Sequence, residues 1–393
     1  SSFGSDGVVI TPVGSGYNTA RAISEDNSGS LIVAGYADAG GYDDFVLIRY
    51  SNSGELDTSF GDGNGITTTS LGSSYDNASS LIEDGGGNLV VAGSTATHNS
   101  FGYIHDFAIA RYTSLGALDS SFGNGTGIIT TGIGAEDDQA RAVIEDSNGN
   151  LVVAGATKNG FYYDFALVRY DSTGDQDTTF GASGIVTTSL SSGNDQLYSL
   201  VEDVDGGLIA VGYSDNGSND DLALVRYDSL GGLDTSFGGG DGFVTTDIAA
   251  GDDKAYSVII DSNGRLVVAG TTNSGGSNLL VLARYLSSGE LDSSFGDGDG
   301  IVTTPIMGSK DTTNAVIEDS AGRLVATGYY STQAENDALA LVRYDSSGVL
   351  DSTFGGGDGI QITEVSGYSQ SYGQSVIEDT GGRLLVTGYA ANG

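Results

Sequence analysis

"RYDSTGDQDTTFGASGIVTT", residues Arg169 to Thr188, decides the fold, because near copies of it return along the chain. "RYDSLGGLDTSFGGGDGFVTT" begins at Arg226 and "RYLSSGELDSSFGDGDGIVTT" at Arg284. The Phe-Gly anchor falls at Phe3, Phe60, Phe122, Phe180, Phe237, Phe295 and Phe354, at intervals of 57 to 62 residues. A fixed period of this length is the mark of a repeat architecture. Residues 1–393 therefore read as a single repeat domain, with repeats starting near 1, 58, 120, 178, 235, 293 and 352.

Each repeat reads as four short strands. In the fifth they are Phe243 to Thr246, Lys254 to Asp261, Arg265 to Thr272 and Asn278 to Leu286. Val, Ile, Thr and Tyr are enriched between Gly and Asn breakers, and no segment holds a helical period. The second and third strands are apolar at nearly consecutive positions, which suits strands covered on both faces. The fold class expected is all-β: a seven-bladed β-propeller of four-stranded antiparallel blades. A solenoid is the alternative, but it needs capping repeats. The seventh blade lacks its outer strand, because the chain stops at "LLVTGYAANG" where a "DFALVRY" segment would follow.

The repeats resemble the delta-60 repeat, a bacterial propeller repeat. The likeness rests on "LDTSFGDGNGITTT" (Leu56 to Thr69), "LDSSFGNGTGIITT" (Leu118 to Thr131), "LDSTFGGGDGIQIT" (Leu350 to Thr363) and the "DGGGNLVVAG" and "DFALVRY" segments. It spans essentially the whole chain. It implies a propeller of a secreted or surface protein and carries no catalytic residues with it.

Composition narrows the function. The formal charge of −38 repels nucleic acid and anionic membrane, and only 14 residues are Lys or Arg. Without cysteine there is no disulfide, thiol nucleophile or Cys-based metal site. No run of about 20 apolar residues could span a bilayer. The chain opens at Ser1 without Met or a leader, which reads as a mature or excised segment.

The motif's Arg, at Arg49, Arg111, Arg169, Arg226, Arg284 and Arg343, ends the fourth strand. The second strand ends in Glu25, Glu83, Glu145, Glu202, Glu318 and Glu378. Both finish on one side of the sheet, near the "LD" aspartates Asp57, Asp119, Asp234, Asp292 and Asp351. An Arg–carboxylate latch that fixes the long connection is expected. The seven phenylalanines wedge neighbouring blades apart from solvent. The alternate oxygens of Asp62, Asn64, Asp297 and Asp299 have the look of a calcium turn, but calcium wants six to eight oxygens. Sister turns such as "FGASG" lose them. Plain turn chemistry is the stronger reading, with no cofactor and calcium the lesser alternative.

The opposite side carries acidic loops: Asp137 with Asp138, Asp195, Asp252 with Asp253, and Asp43 with Asp44, Asp164, Asp220 with Asp221, and Asp337. A solvated acidic face is the bland reading, divalent-cation binding the sharper one. Aromatic residues Phe101, Tyr103, Phe161, Tyr162, Tyr163, Tyr329 and Tyr330 sit in the same loops and offer contact to a sugar or a protein. His98 and His105 read as an exposed loop pair. No repeat gathers unusual groups in one place, so no catalysis is expected. The last strand, with Leu384, Leu385, Val386, Thr387, Gly388 and Tyr389, leaves an open edge, which reads either as a closing strand lying elsewhere in a longer precursor or as a place for a strand from another molecule. The resulting expectation is a non-enzymatic, extracellular or cell-surface bacterial scaffold that self-associates through that edge. A glycan- or protein-binding module is the alternative.

Overall fold

A computed structural model describes residues 3–4, 6–14, 16–38, 40–72, 74–99, 102–306, 310–331 and 337–392. Phe101 lies outside the described residues. The chain divides into two compact units, Ser1–Thr188 and Ser189–Gly393. Unit 1 holds three four-stranded antiparallel sheets, sheets 1 to 3, over residues 18–69, 76–131 and 138–188. Unit 2 holds three more, sheets 4 to 6, over 195–246, 253–304 and 312–363. A two-stranded sheet 7 follows, Gln370–Glu378 paired with Leu384–Ala391. No α-helix occurs among the described residues, only the single 3-10 turns Gly123–Gly125 and Gly238–Gly240.

Six complete blades among the described residues, not seven, is the first correction. Its cause is a shift in where each repeat begins. The short segment read as a blade's opening strand is the closing strand of the sheet before it. Ile185–Thr188 pairs with Tyr162–Tyr170, Phe243–Thr246 with Asp220–Tyr227, and Ile360–Thr363 with Asp337–Tyr344. Sheet 7 thus keeps the strands expected as second and third and lacks two, not one.

The opening motif explains this pairing. It does not cross to a new sheet but folds back within eight residues. Asp177 N–H donates to the Arg169 carbonyl (2.9 Å), Arg169 N–H to the Gly184 carbonyl (3.0 Å) and Phe180 N–H to the Asp177 carbonyl (3.0 Å). The chain is returned antiparallel to the strand it has just left, as in a hairpin. At Gly174, φ is +92° and an added Cβ would stand 3.0 Å from the Phe122 ring, so only glycine fits the turn.

Within each unit, neighbouring sheets pack face to face. Ile32, Ala34, Phe45 and Leu47 of sheet 1 meet Ala78, Leu81, Val91 and Ala110 of sheet 2. Ile209, Val211, Leu222 and Leu224 of sheet 4 meet Ala255, Val258, Val268 and Val281 of sheet 5. The middle strands are buried on both faces, which is why they are continuously apolar. The tyrosine of each "RY" is a further tie. Tyr170 donates to Thr131 Oγ1 of the sheet before (2.6 Å) and Tyr344 to Thr304 Oγ1 (2.7 Å). Burial pushes both phenols well above their ordinary range.

The first residues dock in the same way. Gly4 N–H donates to the Ser53 carbonyl (3.0 Å), as Gly123 N–H does to Thr173 (3.0 Å), and Tyr50 donates to Thr11 Oγ1 (2.7 Å). Gly4 and Thr11 therefore dock on sheet 1 as the connection and fourth strand of sheet 2 dock on sheet 3.

Candidate functional site

The motif's charges form a closed network. Arg111 pairs with Asp119 at 2.7 Å, Arg169 with Asp177 at 2.7 Å, Arg284 with Asp292 at 2.8 Å and Arg343 with Asp351 at 2.8 Å. Arg49 takes Asp26 (2.7 Å) and Asp57 (3.4 Å), and Arg226 takes Asp203 (2.7 Å) and Asp234 (3.1 Å). Guanidinium planes lie over the motif's own phenylalanine, 4.4 Å for Arg111 on Phe122 and for Arg284 on Phe295. The second anion of the latch is thus an aspartate, as Asp26 and Asp203 show, one residue beyond the expected glutamate.

The glutamates reach elsewhere. Glu83 accepts from Asn27 N–H (3.0 Å), Glu145 from Gly85 N–H (2.6 Å) and Glu318 from Ser262 N–H (2.6 Å), each in the turn of the preceding sheet. Glu378 accepts from Ser320 Oγ (2.9 Å) in the same sense, and Glu25 and Glu202 hold the same strand-end position. They stitch sheet to sheet while the arginines hold the connection.

Phe60, Phe122, Phe180, Phe237 and Phe295 are fully buried, whereas Phe3 and Phe354 are partly so. Within the units the rings press on a turn glycine of the next sheet. A Cβ on Gly116 would lie 2.7 Å from Phe60, and one on Gly289 2.9 Å from Phe237.

Asn64 and Asp299 cap their own turns, accepting from the N–H of Ile66 and Ile301 (3.0 Å each), and Asp62 and Asp297 are exposed beside them. Phe161 and Tyr162 are exposed. Tyr163 instead donates to Asp137 Oδ2 (2.7 Å), and Tyr330 packs on the core of sheets 5 and 6. Tyr103 stands edge-on to Tyr75 and to His98, with Tyr42 beyond Tyr75. His105 Nδ1 lies 2.7 Å from Asp137 Oδ1. The acidic loop side is only partly a solvated face: Asp76, Asp138, Asp195, Asp253 and Asp311 are wholly buried. Asp138 accepts the Thr157 hydroxyl (2.5 Å) and the Ile133 N–H (2.7 Å), and so anchors the loop before its strand.

One feature of every sheet escapes the repeat pattern. The first strand of each carries a β-bulge opposite a glycine of the second. The bulged residues are Arg21, Ser79 and Arg141 in unit 1 and Tyr198, Tyr256, Asn314 and Gln374 in unit 2. A bulge re-aims a side chain and is over-represented at functional places. Here it aims residues that differ from one repeat to the next. The cause is steric. A Cβ at Gly93, Gly155 or Gly270 would stand 1.9 to 2.0 Å from a carbonyl oxygen of the first strand. The glycine inside "VVAG" was the available signal, since an isolated glycine in a strand marks a bulge or a close backbone approach.

The bulged residues have polar and aromatic company. Arg141 Nη2 donates to Gln139 Oε1 (2.7 Å), whose Nε2 donates to Asp137 Oδ2 (2.7 Å). Asp137 is half-buried, yet the hydrogen bonds of His105, Tyr163 and Gln139 outweigh that burial and hold its acid well below the ordinary range. In unit 2, Tyr198 stands edge-on to Tyr256 at 5.0 Å and 6.0 Å from Tyr213. Lys254 Nζ lies over the Tyr213 ring at 4.4 Å and pairs with Asp220 at 2.7 Å. Tyr372 stacks on Tyr389 at 4.6 Å and stands edge-on to Tyr329 at 4.7 Å.

The last strand, Leu384–Ala391, pairs with Gln370–Glu378 on one side, and no strand among the described residues pairs with the other. Leu384 and Val386 are half-exposed, where their sheet 6 counterparts Leu324 and Ala326 are buried.

Comparison with known proteins places the chain. No curated protein matches it. A family model described as a β-propeller domain of unknown function, DUF5122, matches residues 27–60, 87–122, 147–180, 205–237, 262–295 and 322–354, more than half of the chain. Similar solved structures include catalytically inactive virginiamycin B lyase from Staphylococcus aureus with quinupristin (12% identity, 92% of this chain and 88% of that one, TM-score 0.48). PQQ-bound aldose sugar dehydrogenase from Streptomyces coelicolor is 13% identical over 85% and 96% of the two chains, with a TM-score of 0.45. A polysaccharide lyase, ulvan lyase, is 10% identical over 83% and 78%, with a TM-score of 0.48. The expectation that this chain is not an enzyme is corrected accordingly, since two lyases and a dehydrogenase stand among the chains it resembles. At these identities the likeness extends to the fold and to no particular activity. The six matched stretches each run from the hairpin turn after a sheet's first strand to the wedge phenylalanine, and the chain belongs to the DUF5122 β-propeller family.

Proposed function

We propose that this chain is a propeller scaffold that binds a glycan through the bulged tyrosines of unit 2, Tyr198 and Tyr256, with Tyr213 beside them. The observation that carries this reading is the break in symmetry. Core, turn and latch residues repeat almost unchanged, whereas the bulge positions hold Arg, Ser, Arg, Tyr, Tyr, Asn and Gln. Tyr rings with hydroxyls, amides and guanidinium groups are the chemistry that takes the apolar face and the hydroxyl edge of a sugar. A glycan array with the whole chain tests it. Binding to at least one glycan class is expected, weakened tenfold or more in Tyr198→Ser/Tyr256→Ser. No binding, or binding indifferent to that double variant, refutes it.

A second reading, assembly at a cell surface through the last strand, is favoured by the half-exposed Leu384 and Val386 beside an unpaired edge. A strand of the repeat's own type, such as residues 164–170, carries the continuous apolar run found in the third strands of sheets 1 to 6. A labelled peptide of that sequence is expected to bind saturably and to raise the melting temperature. Equal binding by a scrambled peptide sinks this reading.

A further inference from the structure

Sheet 6 carries a row of groups that, in earlier sheets, meet the sheet that follows. The step from sheet 5 to sheet 6 shows the pattern. Gly296 N–H donates to the Ser347 carbonyl (2.9 Å), and Arg284 Nη1 to the Ser346 carbonyl (2.5 Å). Tyr344 donates to Thr304 Oγ1 (2.7 Å), and a Cβ on Gly348 would stand 2.9 Å from the Phe295 ring. The step from sheet 2 to sheet 3 repeats it. Gly123 N–H donates to the Thr173 carbonyl (3.0 Å), Arg111 Nη1 to the Ser172 carbonyl (2.6 Å) and Tyr170 to Thr131 Oγ1 (2.6 Å), while Gly174 seats on Phe122. Both receiving segments read Arg-Tyr-x-x-x-Gly, Arg169 to Gly174 and Arg343 to Gly348. The tyrosine reaches the threonine, the two carbonyls just before the glycine take the donors, and the bare glycine leaves room for the ring.

The counterparts on sheet 6 are Gly355, Arg343, Thr363 and Phe354. Gly355 N–H, Arg343 Nη1 and Thr363 Oγ1 make no hydrogen bond among the described residues. Phe354 is partly exposed, whereas Phe295 is fully buried. Phe354 packs on the same cluster as Leu384 and Val386, around Val325, Leu341 and Val376. The row on sheet 6 and the open edge of sheet 7 are therefore adjoining parts of one surface. Within sheet 6 the second strand pairs Leu324 with Tyr344. A strand added to Leu384–Ala391 in that register sets its tyrosine opposite Leu384. Its turn then reaches Phe354 and Gly355, as the turn after Tyr344 reaches Phe295 and Gly296.

We propose that these groups form one docking site for an extended polypeptide segment of the type apolar run, then Arg-Tyr-x-x-x-Gly, which adds to Leu384–Ala391 and seats its turn on Phe354. The proposal rests on the last strand being an assembly edge and names the partner. Strand addition takes its affinity from main-chain bonds and its specificity from side-chain contacts. Here the specificity lies at three points. Thr363 accepts a tyrosine hydroxyl, Arg343 and Gly355 donate to two successive carbonyls, and the Phe354 ring admits only glycine. The segment is unpaired before it docks, because each third strand of sheets 1 to 6 already lies between two others, as Tyr162–Tyr170 lies between Leu151–Asn159 and Ile185–Thr188. A folded second copy has no such strand to lend.

Fluorescence anisotropy with a labelled peptide of residues 164–174 tests this, with 164–170 as the shorter comparison. Both are expected to bind saturably, the longer at least about tenfold tighter, because it adds two carbonyl acceptors and the glycine. Gly174→Ala in the longer peptide removes that gain. Tyr170→Phe in the peptide and Thr363→Val in the protein each weaken binding about three- to tenfold, the worth of one hydrogen bond, and together no more than either alone. Thr363 Oγ1 makes no bond within the described chain, so the fold survives its loss. If 164–170 binds and 164–174 binds no tighter, or if the effects of Tyr170→Phe and Thr363→Val simply add, the assigned partner is refuted while the assembly edge stands. If neither peptide binds, or a scrambled one binds equally, both fall.

Discussion

Arg111→Met tests whether the repeated motif works by charge. The guanidinium is 8% exposed and makes four kinds of contact. Its Nε and Nη2 grip Asp119 at 2.8 and 2.7 Å, and Nη1 donates to the Ser172 carbonyl in the connection of sheet 3 at 2.6 Å. Nη2 donates to Ser121 Oγ (3.2 Å), and Asp84 lies 3.7 Å away. Methionine keeps the length of the side chain and its packing on Phe122 but leaves Asp119 Oδ2 and the Ser172 carbonyl without their donor, while Asp84 keeps its bonds from Gly86 and Asn88. Removing one partner of a buried pair costs about 3–5 kcal/mol. Asp119 keeps its bonds to Ser121, so the lower end, about 3 kcal/mol, is expected. For a cooperative unit of 150–250 residues that lowers the melting temperature by roughly 6–12 °C. Far-ultraviolet circular dichroism melts read it, with Lys158→Met as the control. Lys158 is 36% exposed and has only a 3.9 Å contact with Glu136, so that variant matches the charge change at a loose pair. Adding Asp119→Asn to Arg111→Met is expected to cost less than the sum of the two. A loss no larger than that of Lys158→Met, or strict additivity, would falsify the latch.

Gly155→Ala is expected to destabilise sheet 3 by the upper end of the about 1–3 kcal/mol usual for overpacking, or more, because its Cβ meets the Gln139 oxygen at 1.9 Å. Gly40→Ala meets nothing within 4 Å at an ordinary φ and is the comparison; equal losses in melts of the two variants would remove the steric account of the bulge. Acid sensitivity follows from Asp57, Asp177, Asp234 and Asp351, whose acids are lowered first by Ser59, Thr179, Ser236 and Thr353 and further by the motif's arginines. A depressed folded acid stabilises fully above the unfolded value of about 3.9, and that stability is lost as pH falls through the folded value. Thr179→Val is therefore expected to flatten the decline in melting temperature below about pH 4; an unchanged acid profile contradicts this.

The primary structure alone determined the period, the all-β class and the division of labour within the motif. Phe122, Gly174 and Arg169 recur because each acts within its own connection or on the sheet next to it, and such short-range needs leave a mark in every repeat. Which strand closes which sheet was decided by tertiary structure. "IVTT" is equally apolar whichever neighbour it joins, and only the fold-back hydrogen bonds of Arg169 and Asp177 choose the preceding strand. That choice turned a seventh blade short of one strand into a sheet of two. The latch anion moved from Glu83 to the adjacent Asp84 for a related reason. Adjacent strand-end residues point to opposite faces, and spacing in the chain does not say which face holds the guanidinium. The bulge residues were the least legible. Their place is announced only by a glycine on another strand, and their meaning lies in differing from one repeat to the next, the opposite of the regularity that revealed the fold.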